Sequence, residues 1–395
     1  MQNKCIFISL LVVLLGMVAC GGSSSSNQQI STLSKVQLGE KLFSDINLSL
    51  NRTQSCATCH DAKHAFIDPR VNAVFKAVSV GQDGLSFGDR NTPTVTYAKF
   101  SPAFSFTDNK FVGGQFLEGR EIDLKAQAGV PFLNPVEMAM PDKASVVVRL
   151  QENEEYVSTF TQLFGESIFE DTEKAYLKMT ESIAEFEKSE LFSPFDSKYD
   201  RSLRSYQSDN KYTLTSLERD GQALFFSETK TNCNGCHQLK ENEGAKQETF
   251  TTFEFHNLGV PVNSVVRTAN GKGSAFIDHG LLDNPSVENT PNSQAQNGKF
   301  KVATLRNSAV TAPYMHNGVF KDLRTVIIFY DKFNNAERIN NPETGLAWRS
   351  PEVNENLALE STEFKAPSLS DADIDALIAF LKLLTDKRYE HLIEN

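Results

Sequence analysis

Two pentapeptides carry most of the chemistry this chain can do: Cys56-Ala57-Thr58-Cys59-His60 and Cys233-Asn234-Gly235-Cys236-His237. Thiols at i and i+3 add to the two vinyl groups of one haem, and the adjoining His is held under the iron as proximal ligand. Structural zinc fits less well, because zinc sites set their His several residues from the Cys pair. A disulfide leaves the His without a role. The pattern therefore implies two covalently bound haem c groups, attached through Cys56 and Cys59 and through Cys233 and Cys236. His60 and His237 are the expected iron ligands.

The remaining cysteines, Cys5 and Cys20, belong to a leader. Lys4 precedes an apolar run, Ile6 to Val18, that is too short to span a bilayer as a mature helix. Met17-Val18-Ala19-Cys20 resembles a lipoprotein processing box, and Gly21 to Ser26 reads as a flexible tether. Residues 1–19 are thus expected to be a signal peptide, with a lipidated Cys20 and tether over 20–34. The protein would be exported, periplasm-facing and held at the outer membrane by lipid alone. No thiol is left for nucleophilic catalysis. The net charge of −11 argues against nucleic acid and against a polybasic membrane surface. An acidic redox protein still suits a basic patch on a donor.

The elements that must position the motifs repeat. Gly39-Glu40-Lys41-Leu42-Phe43 precedes the first motif and Gly221-Gln222-Ala223-Leu224-Phe225 the second, both as Gly-x-x-Leu-Phe in a helical pattern. The Gly is expected to let another helix approach closely. Each half closes on an amphipathic helix: Tyr176, Met179, Ile183 and Phe186 in the first, and Ile374, Leu377, Ile378 and Leu381 behind a Ser370 cap with Asp373 in the second. Turn formers and charges from Ser193 to Asn210 place a boundary near 205. That gives an N-terminal domain over 35–205 and a C-terminal one over 206–395. Glu254 to Gly298 reads as ordered loops without helix or sheet, and Pro131 as a turn. The fold class is mainly α, with long loops and few strands.

These residues resemble the bacterial dihaem cytochrome c peroxidase family, which includes MauG. Matching segments are Asp89-Arg90-Asn91-Thr92-Pro93-Thr94, Phe132-Leu133-Asn134-Pro135-Val136-Glu137-Met138, Ser193-Pro194-Phe195-Asp196, Thr304-Leu305-Arg306-Asn307 and Thr311-Ala312-Pro313-Tyr314-Met315-His316-Asn317-Gly318. The resemblance implies two cytochrome c-like domains, each around one haem. The first haem is then peroxidatic and the second passes electrons.

By the same resemblance Gln127 and Glu137 lie on the distal side of the first haem, where a carboxylate can move a proton between the peroxide oxygens. Many members carry a distal His where this chain has Gln82, a poor iron ligand, so an iron open at rest, or capped only by water, is implied. His64 reads as a surface or propionate-side residue. Tyr330 falls where MauG-like members place the sixth ligand of the second haem, with Met315 as the alternative. Asn91, Thr311 and Pro313 match calcium ligands, all hard oxygen donors. Leu117 stands where the family usually has Trp, which leaves Tyr97 or Phe116 as aromatic alternatives for transfer between the haems.

The implied activity is reduction of hydrogen peroxide through high-valent haem iron, with electrons from a small cytochrome c or cupredoxin. The alternative is oxidation of Tyr or Trp on a protein partner. Thr231 and Asn232 lack the surface aromatic of MauG, so methylamine dehydrogenase is not specifically supported as that partner. Trp348 reads as packing or as a surface exit for holes. A homodimer is compatible with the resemblance.

Overall fold

A Ser34 capping box opens α1 (Lys35–Ser44): Ser34 Oγ accepts the Gln37 N–H and the Gln37 side chain accepts the Ser34 N–H. The structure is a computed structural model that describes residues 33–205, 212–239, 244–288, 290, 292–361 and 365–394. The expected signal peptide, Cys20 and most of the tether lie outside the described residues, as does the stretch just after the boundary at 205. The first motif forms α2 (Cys56–Cys59), and a hairpin of β1 (Ser105–Thr107) and β2 (Lys110–Val112) follows after a long irregular segment. Helices α3 (Leu124–Leu133), α4 (Lys143–Gln151), α5 (Glu154–Phe164) and α6 (Thr172–Glu187) complete this half.

The second half begins with α7 (Lys198–Ser205) and α8 (Ser216–Phe225), the latter capped by Thr215 with Glu218 at the box position. Its elements continue with β3 (Phe255–His256), α9 (Ser264–Ala269), β4 (Phe300–Lys301, antiparallel to β3), α10 (Leu323–Asp331) and α11 (Asp371–Leu383). Ser370 caps α11 with Asp373 at the box position, as its sequence suggests. Residues Thr32–Asn395 cluster as one unit.

Within it the helices pack in two groups. In the first, α6 lies against α1 and α3, and buries Met179, Ile183 and Phe186 with Leu42, Phe43, Phe66 and Phe192. In the second, α11 lies against α8 and α10, and buries Ile374, Leu377 and Phe380 with Phe225 and Phe250. Tyr199 of α7 packs in this second core.

The two groups share a backbone device. A Cβ at Gly39 would sit 1.9 Å from Ser182 O, and one at Gly221 would sit 1.8 Å from Ala376 O. Only a residue without a side chain lets each pair of helices come so near. Side-chain bonds repeat as well. Thr94 Oγ1 donates to Ala65 O and Thr304 Oγ1 to Thr249 O, both at 2.6 Å. Tyr97 (φ 61°) and Asn307 (φ 63°) each open a 3-10 turn, and their N–H groups donate to Phe192 O and Leu384 O.

Two expectations are corrected. Pro131 lies inside α3 and forms no turn. Its ring removes one donor near the end of the helix, and the chain reverses only afterwards, where Asn134 N–H reaches Val130 O at 3.2 Å and Met140 N–H reaches Phe132 O at 2.8 Å. The segment from Glu254 to Gly298 is not all loop, because Asn263 caps α9 by accepting the Val266 N–H.

Gly39→Ala is expected to destabilise the protein by roughly 1–3 kcal/mol, the usual cost of overpacking. Gly88→Ala, at a position with nothing within 4 Å, is expected to stay within about 0.5 kcal/mol of wild type. Equal denaturant midpoints for the two variants would contradict the close approach of α1 and α6.

Candidate haem sites

Each motif His is half-buried and oriented by a backbone carbonyl. His60 Nδ1 lies 3.0 Å from Phe66 O, and His237 Nδ1 lies 3.3 Å from Phe250 O. With Nδ1–H donating, Nε2 is the lone-pair nitrogen left for a metal. Burial lowers both imidazoles, His237 to about 4, so the neutral ligand form prevails at physiological pH. Both carbonyls come from phenylalanines in the left-handed region, Phe66 at φ 55° and Phe250 at φ 54°.

Among the described residues no disulfide joins the four motif cysteines, and burial raises Cys56, Cys59 and Cys233 above the usual thiol range. Cys59 Sγ accepts from Gln54 Nε2 at 3.4 Å and from Arg70 Nη2 at 3.3 Å. Around the second motif lies a cavity of about 460 Å³. Cys233, Cys236, His237 and Tyr330 line it together with apolar Leu323, Ile327, Leu377 and Leu381. Such a lining, with thiols, a free imidazole nitrogen and an aliphatic wall on one cavity, fits a covalently held apolar macrocycle.

At the first motif the polar residues fall as follows. Glu137 is half-buried, and its Oε1 accepts from Asn134 Nδ2 at 2.8 Å. Its charge contributes, as a minor influence beside burial, to raising Cys56 and Cys59. Burial raises its carboxyl above the ordinary value, against the Arg120 charge and the Asn134 bond. Gln127 is carried on α3, half-buried, and its side chain makes no hydrogen bond among the described residues. Gln127 and Glu137 are not bonded to one another.

Gln82 turns elsewhere: its Oε1 accepts the Asn51 N–H at 3.2 Å, and its own N–H donates to Glu137 O at 2.8 Å. His64 is half-buried and its Nδ1 lies 2.8 Å from Asp61 Oδ2.

Tyr330 sits in the last turn of α10, and burial pushes its phenol above the ordinary value. Its hydroxyl makes no hydrogen bond among the described residues. Met315 lines the same cavity. So do Asn91, Thr311 and Pro313. Asn91 Nδ2 is used by Ala77 O at 3.0 Å, which leaves Oδ1 as its outward acceptor. Among the described residues, no hydrogen bond reaches Asn91 Oδ1 or the carbonyls of Thr311 and Pro313. A carbonyl and amide set of this kind suits a hard cation. Leu117 and Phe116 also line the cavity, and Arg120 stacks over the Phe116 ring at 3.5 Å. Trp348 packs on Phe320 and Phe329 and donates Nε1–H to Arg338 O at 2.8 Å.

A family profile described as Di-haem cytochrome c peroxidase matches residues 33–208. The methylamine utilization protein MauG of Paracoccus denitrificans is 51% identical over 360 residues, 90% of each chain. The chain belongs to the dihaem cytochrome c peroxidase and MauG family. The cytochrome c551 peroxidase of Nitrosomonas europaea is 26% identical over 384 residues, 95% of this chain and 98% of that one. The crystal structure of the diheme peroxidase BthA from Burkholderia thailandensis superposes with a TM-score of 0.79 at 28% identity, covering 92% of each chain. Members of this dihaem family are haem-dependent oxidoreductases, and both peroxidases and MauG proteins stand among the relatives. This chain is accordingly a haem-dependent oxidoreductase with two c-type haems.

Several residues at these sites carry no sequence signal. Glu187, at the end of α6, has its Oε2 buried without a hydrogen bond, and its charge is felt at Cys56. Burial pushes its carboxyl up to about 8. On the helix pattern it is one more Glu among several.

A carboxyl raised in this way stabilises the fold fully below its ordinary value near 4.5, and that contribution is lost as pH rises toward 8. Glu187→Gln is therefore expected to match wild type at pH 4.5 and to exceed it in stability at pH 8 by on the order of a few kcal/mol. Thermal melts across that range decide it, and parallel pH profiles for the two proteins would refute it.

Proposed function

We propose that the protein is a periplasm-facing, lipid-anchored dihaem peroxidase that reduces hydrogen peroxide to water with electrons from a small cytochrome c or cupredoxin. Cys56 and Cys59 carry the first haem with His60 as ligand. Cys233 and Cys236 would carry the second, with His237 and Tyr330 as the residues that would hold its iron. Asn91, Thr311 and Pro313 hold a calcium ion between them. When bound, haem iron supplies the centre at which peroxide coordinates and from which two oxidising equivalents are drawn. Among the described residues no helix is long and apolar enough to cross a membrane, which is compatible with attachment through lipid.

The observation that carries the reading is Glu137: a desolvated carboxyl whose charge acts on Cys56 and Cys59, bonded to Asn134 and with its second oxygen available. Its carboxylate takes the proton from one peroxide oxygen and delivers it to the other, which leaves as water. Gln127, with an unused side-chain amide, orients the peroxide. Gln82, committed to Asn51, stays clear of the iron. Tyr330 brings an anionic oxygen donor to the second haem, which favours its oxidised states.

The second reading is oxidation of Tyr or Trp on a protein partner, favoured by the 51% identity with MauG. Rapid peroxide turnover with a reduced c-type donor supports the first reading. Slow donor turnover with covalent change in a partner supports the second.

Glu137→Gln is expected to keep both haems, as counted by haemochrome spectra, and to slow the reaction with peroxide by roughly 10²–10⁴-fold. In wild type the rate should fall on the acid side with a midpoint above the ordinary Glu value, because the proton acceptor must be ionised. A wild-type rate in the Gln variant would remove Glu137 from the mechanism. Tyr330→Phe should change the ferric spectrum and potential of the second haem. An unchanged low-spin signal would assign the ligand to another residue, Met315 first.

A further inference from the structure

Of the residues that tie the two halves together, Tyr97 and Asn307 occupy matching positions. Each follows a Thr that bonds back to the loop carrying a His-orienting Phe, and each opens a 3-10 turn in the left-handed region. One carboxylate joins them. Tyr97 Oη donates to Asp386 Oδ1 at 2.5 Å, and Asn307 Nδ2 donates to Asp386 Oδ2 at 2.9 Å. Both of its oxygens accept, the arrangement an ionised carboxylate makes. The phenol and the carboxylate are almost fully excluded from solvent, at 2% and 0% exposure.

The location of Tyr97 is as specific as its bond. It lines the cavity that contains Cys233, Cys236 and His237. On its other side its N–H donates to Phe192 O, and the Phe192 ring lies 4.4 Å from Phe66, whose carbonyl orients His60. Of the tyrosines lining the cavity, Tyr314 donates to the Ser308 carbonyl, which is no base. Tyr330 is absorbed by the second haem. Leu117, on the same wall, has no π system to oxidise.

Removing an electron from a buried phenol without its proton would leave a cation in a low-dielectric interior, which is costly. A carboxylate at hydrogen-bond distance lets the proton leave across a single bond. Burial raises the Asp386 carboxyl above its ordinary value, which makes it the better acceptor. The Arg306 guanidinium over the Tyr97 ring at 5.4 Å opposes oxidation, but its charge is offset by two bonds to Asp200 at 2.5 and 2.9 Å.

We propose that Tyr97 is a redox relay between the two haem sites, oxidised to a neutral tyrosyl radical with its proton held by Asp386. One electron passes from Tyr97 to the peroxide-oxidised haem pair while the O–H bond to Tyr97 breaks and one to Asp386 Oδ1 forms. One electron from the donor protein then restores the phenol as Asp386 returns the proton. The relay rests on the peroxide reading above, which supplies the oxidant.

The test uses the holoprotein, mixed with one equivalent of peroxide, freeze-quenched and examined by EPR beside its optical spectrum, for wild type, Tyr97→Phe and Asp386→Asn. Both wild type and Tyr97→Phe are expected to show the haem absorption change, with a tyrosyl signal present in the first and lost in the second. In Asp386→Asn the signal should form more slowly. Identical radical spectra in wild type and Tyr97→Phe, with the absorption change intact, would overturn the relay and leave the peroxide reading standing. If peroxide changes nothing in wild type, that reading fails instead, and a flash-generated ruthenium(III) oxidant decides the relay. A radical that depends on Tyr97 then supports it, and none overturns it.

Discussion

The bond from each motif imidazole to a backbone carbonyl is the constraint on which the rest of the structure depends. Without it a half-buried histidine is free to rotate, and neither nitrogen is committed to a metal. Phe66 and Phe250 supply the carbonyls from left-handed backbone, a conformation that costs on the order of 1–3 kcal/mol for a bulky residue. Their rings are at most 1% exposed, and such burial contributes a stabilisation of about the same size. Thr94 and Thr304 pin the residues just before them, so the strained turn is held from two directions.

The repetition of this arrangement explains why two sites of one design can differ in chemistry. The proximal half of each is fixed by shared bonds. What varies is the opposite face, and it varies by single residues. On the proposed reading Glu137, bonded to Asn134, would bring proton transfer to the first and Gln127 an amide, while Gln82 is drawn off to Asn51. An apolar wall and Tyr330 line the cavity of the second. The same logic applies at the junction of the halves, where matching positions hold a phenol in one and an amide in the other.

Much of this was legible in the sequence because local chemistry demanded it. The motifs name their cofactor, the Ser370 cap marks a helix start, and Gly39 and Gly221 announce close helix packing that the structure places against Ser182 and Ala376. Other features depend on contacts far apart in the chain. Asp386 is a lone Asp after a helix until folding sets it against Tyr97, and Arg306 becomes a fully buried cation only opposite Asp200. Pro131 read as a turn because Pro usually ends helices, yet α3 tolerates it in its last turn. No pattern announces that Phe66 and Phe250 are left-handed, since only the imidazoles they serve require it.

On the proposed reading the two haems would differ in their sixth coordination position, the first open and the second taking Tyr330. EPR of the resting, fully ferric protein reads this directly. One high-spin haem beside one low-spin haem is the predicted result. Two low-spin haems would contradict it, and would mean that a protein ligand covers the first iron despite the commitment of Gln82 to Asn51.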